Sequence, residues 1–308
     1  MSAFLTIPKI PRPPKAGVKP KRRRPRLRDR LLLQEDLNFL LTNRIPRILA
    51  TRAMGRISRI RKPAVTRLGI ALWRWFADLD LSDAATQRFD CLQDCFTRPL
   101  RPGARPLDPD PQALLSPCDG IVGACGAVEG TTVLQAKGFP YTLPDLFGSQ
   151  EAAAPYQDGT YVTLRLTSAM YHRFHAPADG HLERISYRNG DTWNVNPIAL
   201  RRVERLFCRN ERAVLHLRLD SGHPIALVPV AAILVAGIRL HCLPGLLRRP
   251  GPCEIPCAAR VTRGAELGWF EHGSTIIVFA PPGFKPAAGI ETGAGVRMGR
   301  QLLRFPAD

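Results

Sequence analysis

Two apolar runs near the middle of the chain, AVLHLRL at residues 213–219 and PIALVPVAAILVAGI at residues 224–238, are separated only by Asp220, Ser221, Gly222 and His223. Asp, Ser and Gly are turn formers, so the pair reads as two strands joined by a tight connection. The longer run falls short of the roughly 18 apolar residues that a spanning helix requires, and it contains Pro229. Similar short segments occur on either side: IVGACGAV at 121–128, TTVLQAK at 131–137, TYVTLRL at 160–166 and STIIVFA at 274–280. Each is bounded by Gly, Pro or Asp. The fold class expected is α+β, a mainly antiparallel β-rich catalytic body preceded by N-terminal amphipathic helices.

The charge is divided unevenly along the chain. Residues 1–80 hold 20 Lys and Arg against 5 Asp and Glu, so +15 of the net +18 lies in the first quarter of 308 residues. Residues 1–30, rich in Pro and positive charge, are expected to be a disordered basic arm. Residues 31–80 mix Leu, Ile and Trp with Arg at three- and four-residue steps, and Pro46 and Pro63 divide them into three expected helices. Such helices suit a membrane interface; the other reading is helices packed on the main domain with a solvated basic face. Residues 81–290 form the expected β-rich catalytic domain. The glycine-rich residues 291–308 are expected to be a C-terminal tail, loosely ordered like the rest of the chain after Lys285.

A basic arm on a near-neutral body favours a polyanionic partner, an anionic bilayer or a nucleic acid. The basic run at residues 21–24 is followed by only three leucines, which is no signal peptide, and the chain is expected to stay on the cytoplasmic side. Eight scattered cysteines suggest free thiols. The two C-x3-C pairs, Cys91/Cys95 and Cys253/Cys257, lack the tighter duplicated spacing of a zinc site, so no metal is expected. Neither a P-loop nor a GxGxxG fingerprint is present.

Three places in the body carry chemistry. Asp119 stands in Ser-Pro-Cys-Asp-Gly at residues 116–120, where an aspartate more often caps a turn. His172 and His175 stand in YHRFHAP at residues 171–177; three apart, they could share a metal on a helix, but Pro177 and the strand-like surroundings argue against one. Gly273, Ser274 and Thr275 open the β-branched run Ile276, Ile277, Val278, Phe279. An acid, two imidazoles and a hydroxyl are the inventory of an activated serine. A hydrolase elbow of the form G-x-S-x-G is missing.

At these residues the chain resembles the phosphatidylserine decarboxylases, which make their own pyruvoyl group. The resemblance runs in family order through CFTRPLRPGARP (residues 95–106), SPCDGIVGACG (116–126), QAKGFPYTLPDLFG (135–148), YHRFHAPADG (171–180), GDTWNVNP (190–197), NERAV (210–214) and ELGWFEHGSTIIVF (266–279). It departs at His272, where the family has Leu or Gly before Gly-Ser-Thr. Two further departures are Pro229 with its flanking alanines and the insert around Cys253 and Cys257.

The resemblance implies self-cleavage between Gly273 and Ser274. Ser274 attacks the Gly273 carbonyl, His175 oriented by Asp119 takes the hydroxyl proton, and elimination and hydrolysis leave a pyruvoyl group derived from Ser274 as the only cofactor. His172 is then the proton donor to the α-carbon after CO2 leaves. The implied substrate is phosphatidylserine, and the product phosphatidylethanolamine. The implied protein is peripheral on the cytoplasmic side of the cell membrane, held there by cations with Trp73, Trp75 and Phe76. It is made of a large and a small chain from one precursor, assembles as a homo-oligomer and has no nucleic-acid partner. Two other classes stay open: a serine hydrolase using the same Asp, His and Ser, and an unprocessed lipid-binding homologue stopped by His272.

Overall fold

A computed structural model of the chain describes residues 47–136, 139–232, 237–243, 251–271 and 274–306. The basic arm of residues 1–30 and the first expected helix lie outside them. The described chain opens with helices α1 (Arg47–Ile57), α2 (Pro63–Phe76) and the short α3 (Leu92–Phe96). Proline at the first turn of α2 fixes its entry, since the missing N–H has no partner to lose there.

The strands follow in chain order as β1 (Ala113–Leu115), β2 (Gly120–Ala127), β3 (Thr132–Ala136), β4 (Phe139–Thr142), β5 (Thr160–Arg165), β6 (Arg173–His175), β7 (Gly180–Arg188) and β8 (Arg212–Leu219). They continue as β9 (Pro224–Ala231), β10 (Ile238–Leu240), β11 (Cys253–Val261), β12 (Glu266–Phe270), β13 (Ser274–Ala280), β14 (Lys285–Pro286), β15 (Gly295–Val296) and β16 (Gln301–Arg304). Eight of them form one sheet in the order β11-β7-β8-β9-β13-β5-β2-β15, with every pairing antiparallel. A three-stranded sheet, β10-β12-β6, carries the histidine block. The α+β class with a β-rich body is what the apolar runs foretold.

Those runs are continuous because the large sheet is covered on both faces. Alternate residues of a strand face opposite sides. Ile276 and Val278 join Leu164 and Leu227 in one core, while Ile277 and Phe279 join Tyr161 and Val228 in another. Strand β13 thus has no solvent side. Pro229 lies in central β9, where a proline is unusual. Between the pairs Arg212 with Val230 and Leu215 with Leu227, the β8 ladder skips Val228 and Pro229.

The expectation of a loose C-terminus is corrected. Strand β15 pairs with β2, and β16 lies between β1 and β14. Leu302 and Leu303 are fully buried. Gly299, at φ 83°, makes the turn that a side chain would resist and donates its N–H to the Ser116 carbonyl.

Helix α2 has two distinct sides. Thr66 donates its hydroxyl to the Asp90 carbonyl, and a Cβ on Gly69 would stand 2.7 Å from a Leu92 methyl. Trp73 stacks on Phe96 at 5.6 Å. These residues form the side that meets α3. Val65, Leu68, Leu72 and Trp75, spaced by three and four, are exposed on the other side, with Leu68 at 72% and Trp75 at 61%. Trp73 therefore faces inward, not toward a bilayer.

Candidate active site

Strand β13 begins at Ser274, opposite Ala231 of β9. His272, Gly273 and the Ser274 side chain lie outside the described residues. Thr275, next in the chain, is 1% exposed, and its Oγ1 has no hydrogen-bond partner among the described residues.

Asp119 immediately precedes β2. Its carboxylate accepts from Arg105 Nε at 2.9 Å on Oδ1 and from Arg105 Nη2 at 2.6 Å on Oδ2, and from the Met298 N–H at 2.9 Å. Arg105 also donates to Asp83 at 2.7 Å. The bonds to Asp119 raise the guanidinium pKa above its ordinary value despite burial, which works the other way.

His175 ends β6, and its N–H donates to the Pro117 carbonyl at 2.8 Å, which ties the strand to the turn that carries Asp119. The ring is held from both sides. Nδ1 lies 2.9 Å from the Gly264 carbonyl and Nε2 lies 3.0 Å from the Tyr171 hydroxyl. A carbonyl only accepts, so Nδ1 carries the proton and Nε2 accepts from Tyr171. Burial is the main cause that lowers the His175 pKa below 6.5, opposed by the Gly264 carbonyl and by the nearby charges of Glu266 and Asp119. Burial likewise pushes the Tyr171 phenol up, which keeps it a donor. The imidazole is a neutral base with its lone pair on Nε2.

The carbonyl of Gly264 orients this ring; Asp119 is engaged by Arg105 and acts on His175 through its charge. Arg105, Tyr171 and Gly264 were not singled out from the sequence. Arg105 and Tyr171 do stand inside the blocks CFTRPLRPGARP and YHRFHAPADG.

His172 is fully buried. Its ring stacks on Phe96 with centroids 3.9 Å apart and planes 20° from parallel, and Nε2 lies 3.3 Å from the Ser168 carbonyl. With Trp73 beyond Phe96, three rings run from α2 to this histidine. A cleft of about 670 Å³ runs past Ala77, just beyond α2, and is lined by Asp119, Tyr171, Ser168 and Arg105. Glu271, which ends the described segment before β13, is 4% exposed and accepts from Arg59 at 2.8 Å and from Arg239 at 2.9 Å.

The eight cysteines are free. Among the described residues no group of three or more His, Cys, Asp or Glu is placed to hold a metal ion, and no helix is long and apolar enough to cross a membrane.

The sequence profile of the phosphatidylserine decarboxylases matches residues 92–304, from α3 through β16. The chain belongs to the phosphatidylserine decarboxylase family. It is 41% identical over 272 residues to the phosphatidylserine decarboxylase proenzyme of Halorhodospira halophila, covering 85% of this chain and 91% of that one. The proenzyme of Bordetella pertussis is 37% identical over 288 residues, 89% of this chain and 96% of the relative. That of Brevibacillus brevis is 34% identical over 270 residues, 85% and 95%. The decarboxylase match extends past residue 290 into β16, in keeping with the ordered C-terminus.

Proposed function

We propose that the chain is a membrane-peripheral proenzyme that cuts itself between Gly273 and Ser274, bears a pyruvoyl group at position 274, and converts phosphatidylserine to phosphatidylethanolamine and CO2. The observation that carries this reading is the position of β13. It lies between β5 and β9, both upstream of the cut, so a chain severed before residue 274 keeps every ladder bond from Thr275 to Phe279. A break there leaves the central sheet whole.

In the cut, Ser274 Oγ attacks the Gly273 carbonyl carbon and the amide C–N bond is exchanged for an ester C–O bond. Elimination across Cα and Cβ of residue 274 releases the Gly273 carboxylate, and water then replaces nitrogen at Cα as ammonia leaves. The base of this step is assigned to His175, whose neutral Nε2 can exchange the Tyr171 proton donor for the serine hydroxyl. Asp119, fixed by Arg105, supports the charge that His175 then carries.

The residues present suit the pyruvoyl group. Thr163 lies opposite Ile277 on the face of the sheet that Thr275 shares, and the buried Oγ1 atoms of both threonines lack partners among the described residues. The Thr275 hydroxyl, next in the chain to position 274, would hold one of its oxygens. The chemistry such a group supplies is an electron sink for the carbanion left by CO2. His172, kept in place by Phe96, is the proton donor to the substrate α-carbon.

The exposed face of α2 fits the same reading. Leu68, Leu72 and Trp75 enter the interface, flanking cations meet an anionic surface at about 1 kcal/mol each, and the cleft at the end of α2 is thereby brought to the headgroups.

Mass spectrometry of the purified protein tests the reading, together with CO2 release from carboxyl-labelled phosphatidylserine. A fragment beginning at residue 274 with a keto terminus is expected, and Ser274→Ala is expected to stay intact and inactive. An active but uncut chain refutes the proposal.

A further inference from the structure

Strand β5 ends at Arg165, and its register fixes that residue's neighbours: Thr275 of β13 on one side and Ile121 of β2 on the other. Directly opposed residues of an antiparallel pair project from the same face with Cβ atoms about 4.5–5.5 Å apart. The Arg165 side chain therefore starts beside the residue that follows Ser274. Ile121, its other neighbour, lines the cleft, as do Thr167 and Ser168 just beyond it in the chain.

Other buried arginines are capped. Arg105 is held by two carboxylates, Arg98 donates to the carbonyls of Cys95, Asp80 and Ala169, and Arg212 to those of Leu146, Cys208, Asn210 and Asp145. Arg165 makes no hydrogen bond or ion pair among the described residues, and burial alone lowers its pKa. The unpartnered hydroxyls of Thr163 and Thr275 lie on the same face. A half-buried guanidinium with no counter-charge has a desolvation cost that nothing in the described fold offsets. An arriving anion would offset it.

We propose that Arg165 binds the phosphodiester of the substrate lipid and so sets headgroup affinity. This rests on the decarboxylase reading above. The substrate carries two anions, and the phosphodiester is the better match. A cation clamped on the carboxylate would stabilise the ground state and oppose loss of CO2, whereas the phosphodiester keeps its charge through the reaction. Only a few bonds separate the amine from the phosphorus in a serine headgroup, and an arginine on the adjacent strand spans that interval.

The test uses full-length Arg165→Met and Arg165→Lys, assayed on phosphatidylserine in mixed micelles with phosphatidylethanolamine as a competing ligand. Both variants should be cut at 273/274 like the wild type. Arg165→Met should raise KM about tenfold or more with kcat within about threefold, and weaken inhibition by phosphatidylethanolamine by the same factor. Arg165→Lys should recover part of both.

An unchanged KM, or a loss confined to kcat, overturns the proposal. So does failure of either variant to be cut, which would place Arg165 in folding or cleavage. A raised KM with unaltered phosphatidylethanolamine inhibition would make the carboxylate the ligand and also overturn it. A wild-type chain that is uncut or releases no CO2 would count against the decarboxylase reading instead.

Discussion

The Tyr171 hydroxyl lies 3.0 Å from His175 Nε2, on the ring edge opposite the Gly264 carbonyl. A phenol donating to Nε2 is compatible only with the neutral ring, because a protonated imidazole has no lone pair left to accept it. Tyr171 and burial therefore favour the same protonation state, and the His175 pKa lies below 6.5. Cleavage that needs this base should hold its rate as pH falls through 6.5 and decline only at lower values. Tyr171→Phe removes the bond that favours the neutral ring, so the acid limb should move up toward 6.5. The rate of fragment appearance as a function of pH measures both. A limb unmoved in Tyr171→Phe would show that the hydroxyl has no hold on the base.

Arg105 joins two carboxylates, at 2.6 Å to Asp119 and 2.7 Å to Asp83, closer than Arg101 comes to Asp83 at 3.7 Å. Its side chain is 9% exposed and that of Asp119 is 11% exposed. Removing one partner of such a pair leaves a buried charge uncompensated, which costs more than the pair itself contributes. Arg105→Met is expected to lower stability by about 3 kcal/mol and to slow self-cleavage. Denaturant unfolding of the Ser274→Ala background separates the first effect from the second. Equal stability in the two chains would mean that the Asp119 carboxylate is well solvated without its arginine.

Phe96 is the middle ring between Trp73 and His172, with centroids at 5.6 Å and 3.9 Å. Stacking of this kind contributes about 1 kcal/mol and, more to the point, fixes the plane of the imidazole. If His172 delivers a proton to the substrate and has no part in the cut, Phe96→Leu should leave the yield of the fragment unchanged while decarboxylation falls by about tenfold. Gel densitometry and CO2 release on one preparation give both numbers. A parallel fall in both would place His172 in cleavage as well.

What the sequence revealed followed distance along the chain. Strand β13 and the hairpin of β8 and β9 were visible because a run of buried apolar residues is local, and Asp119, His172 and His175 because their blocks are short. The partners that tune them were not visible. Gly264 meets His175 through a backbone carbonyl 89 residues away, and Arg105 meets Asp119 14 residues on, with β1 between them. The glycine-rich C-terminus looked loose because its strands are two to four residues long, and their stability comes from β1 and β2, far upstream. Trp73 and Trp75 illustrate the same limit. Two residues apart on one helix, they face α3 and solvent respectively, and only the packing of Gly69 on Leu92 decides which is which.

The outward face of α2 supplies the last prediction. Leu68 is 72% exposed and Leu72 is 52% exposed, and neither supports a neighbouring element, so charging them should leave the fold and the cut at 273/274 intact. Each leucine entering an interface contributes on the order of 1.5 kcal/mol. Leu68→Asp with Leu72→Asp should therefore weaken binding to phosphatidylserine-containing vesicles by about 100-fold or more, since the added charges also repel the anionic surface. The cations nearby act through a screened field, so residual binding of the double variant should fall further with added salt, while the apolar share of wild-type binding should persist. Vesicle sedimentation across a salt series reads both contributions. Wild-type affinity in the double variant would remove α2 from the membrane contact and leave the attachment to residues upstream of it.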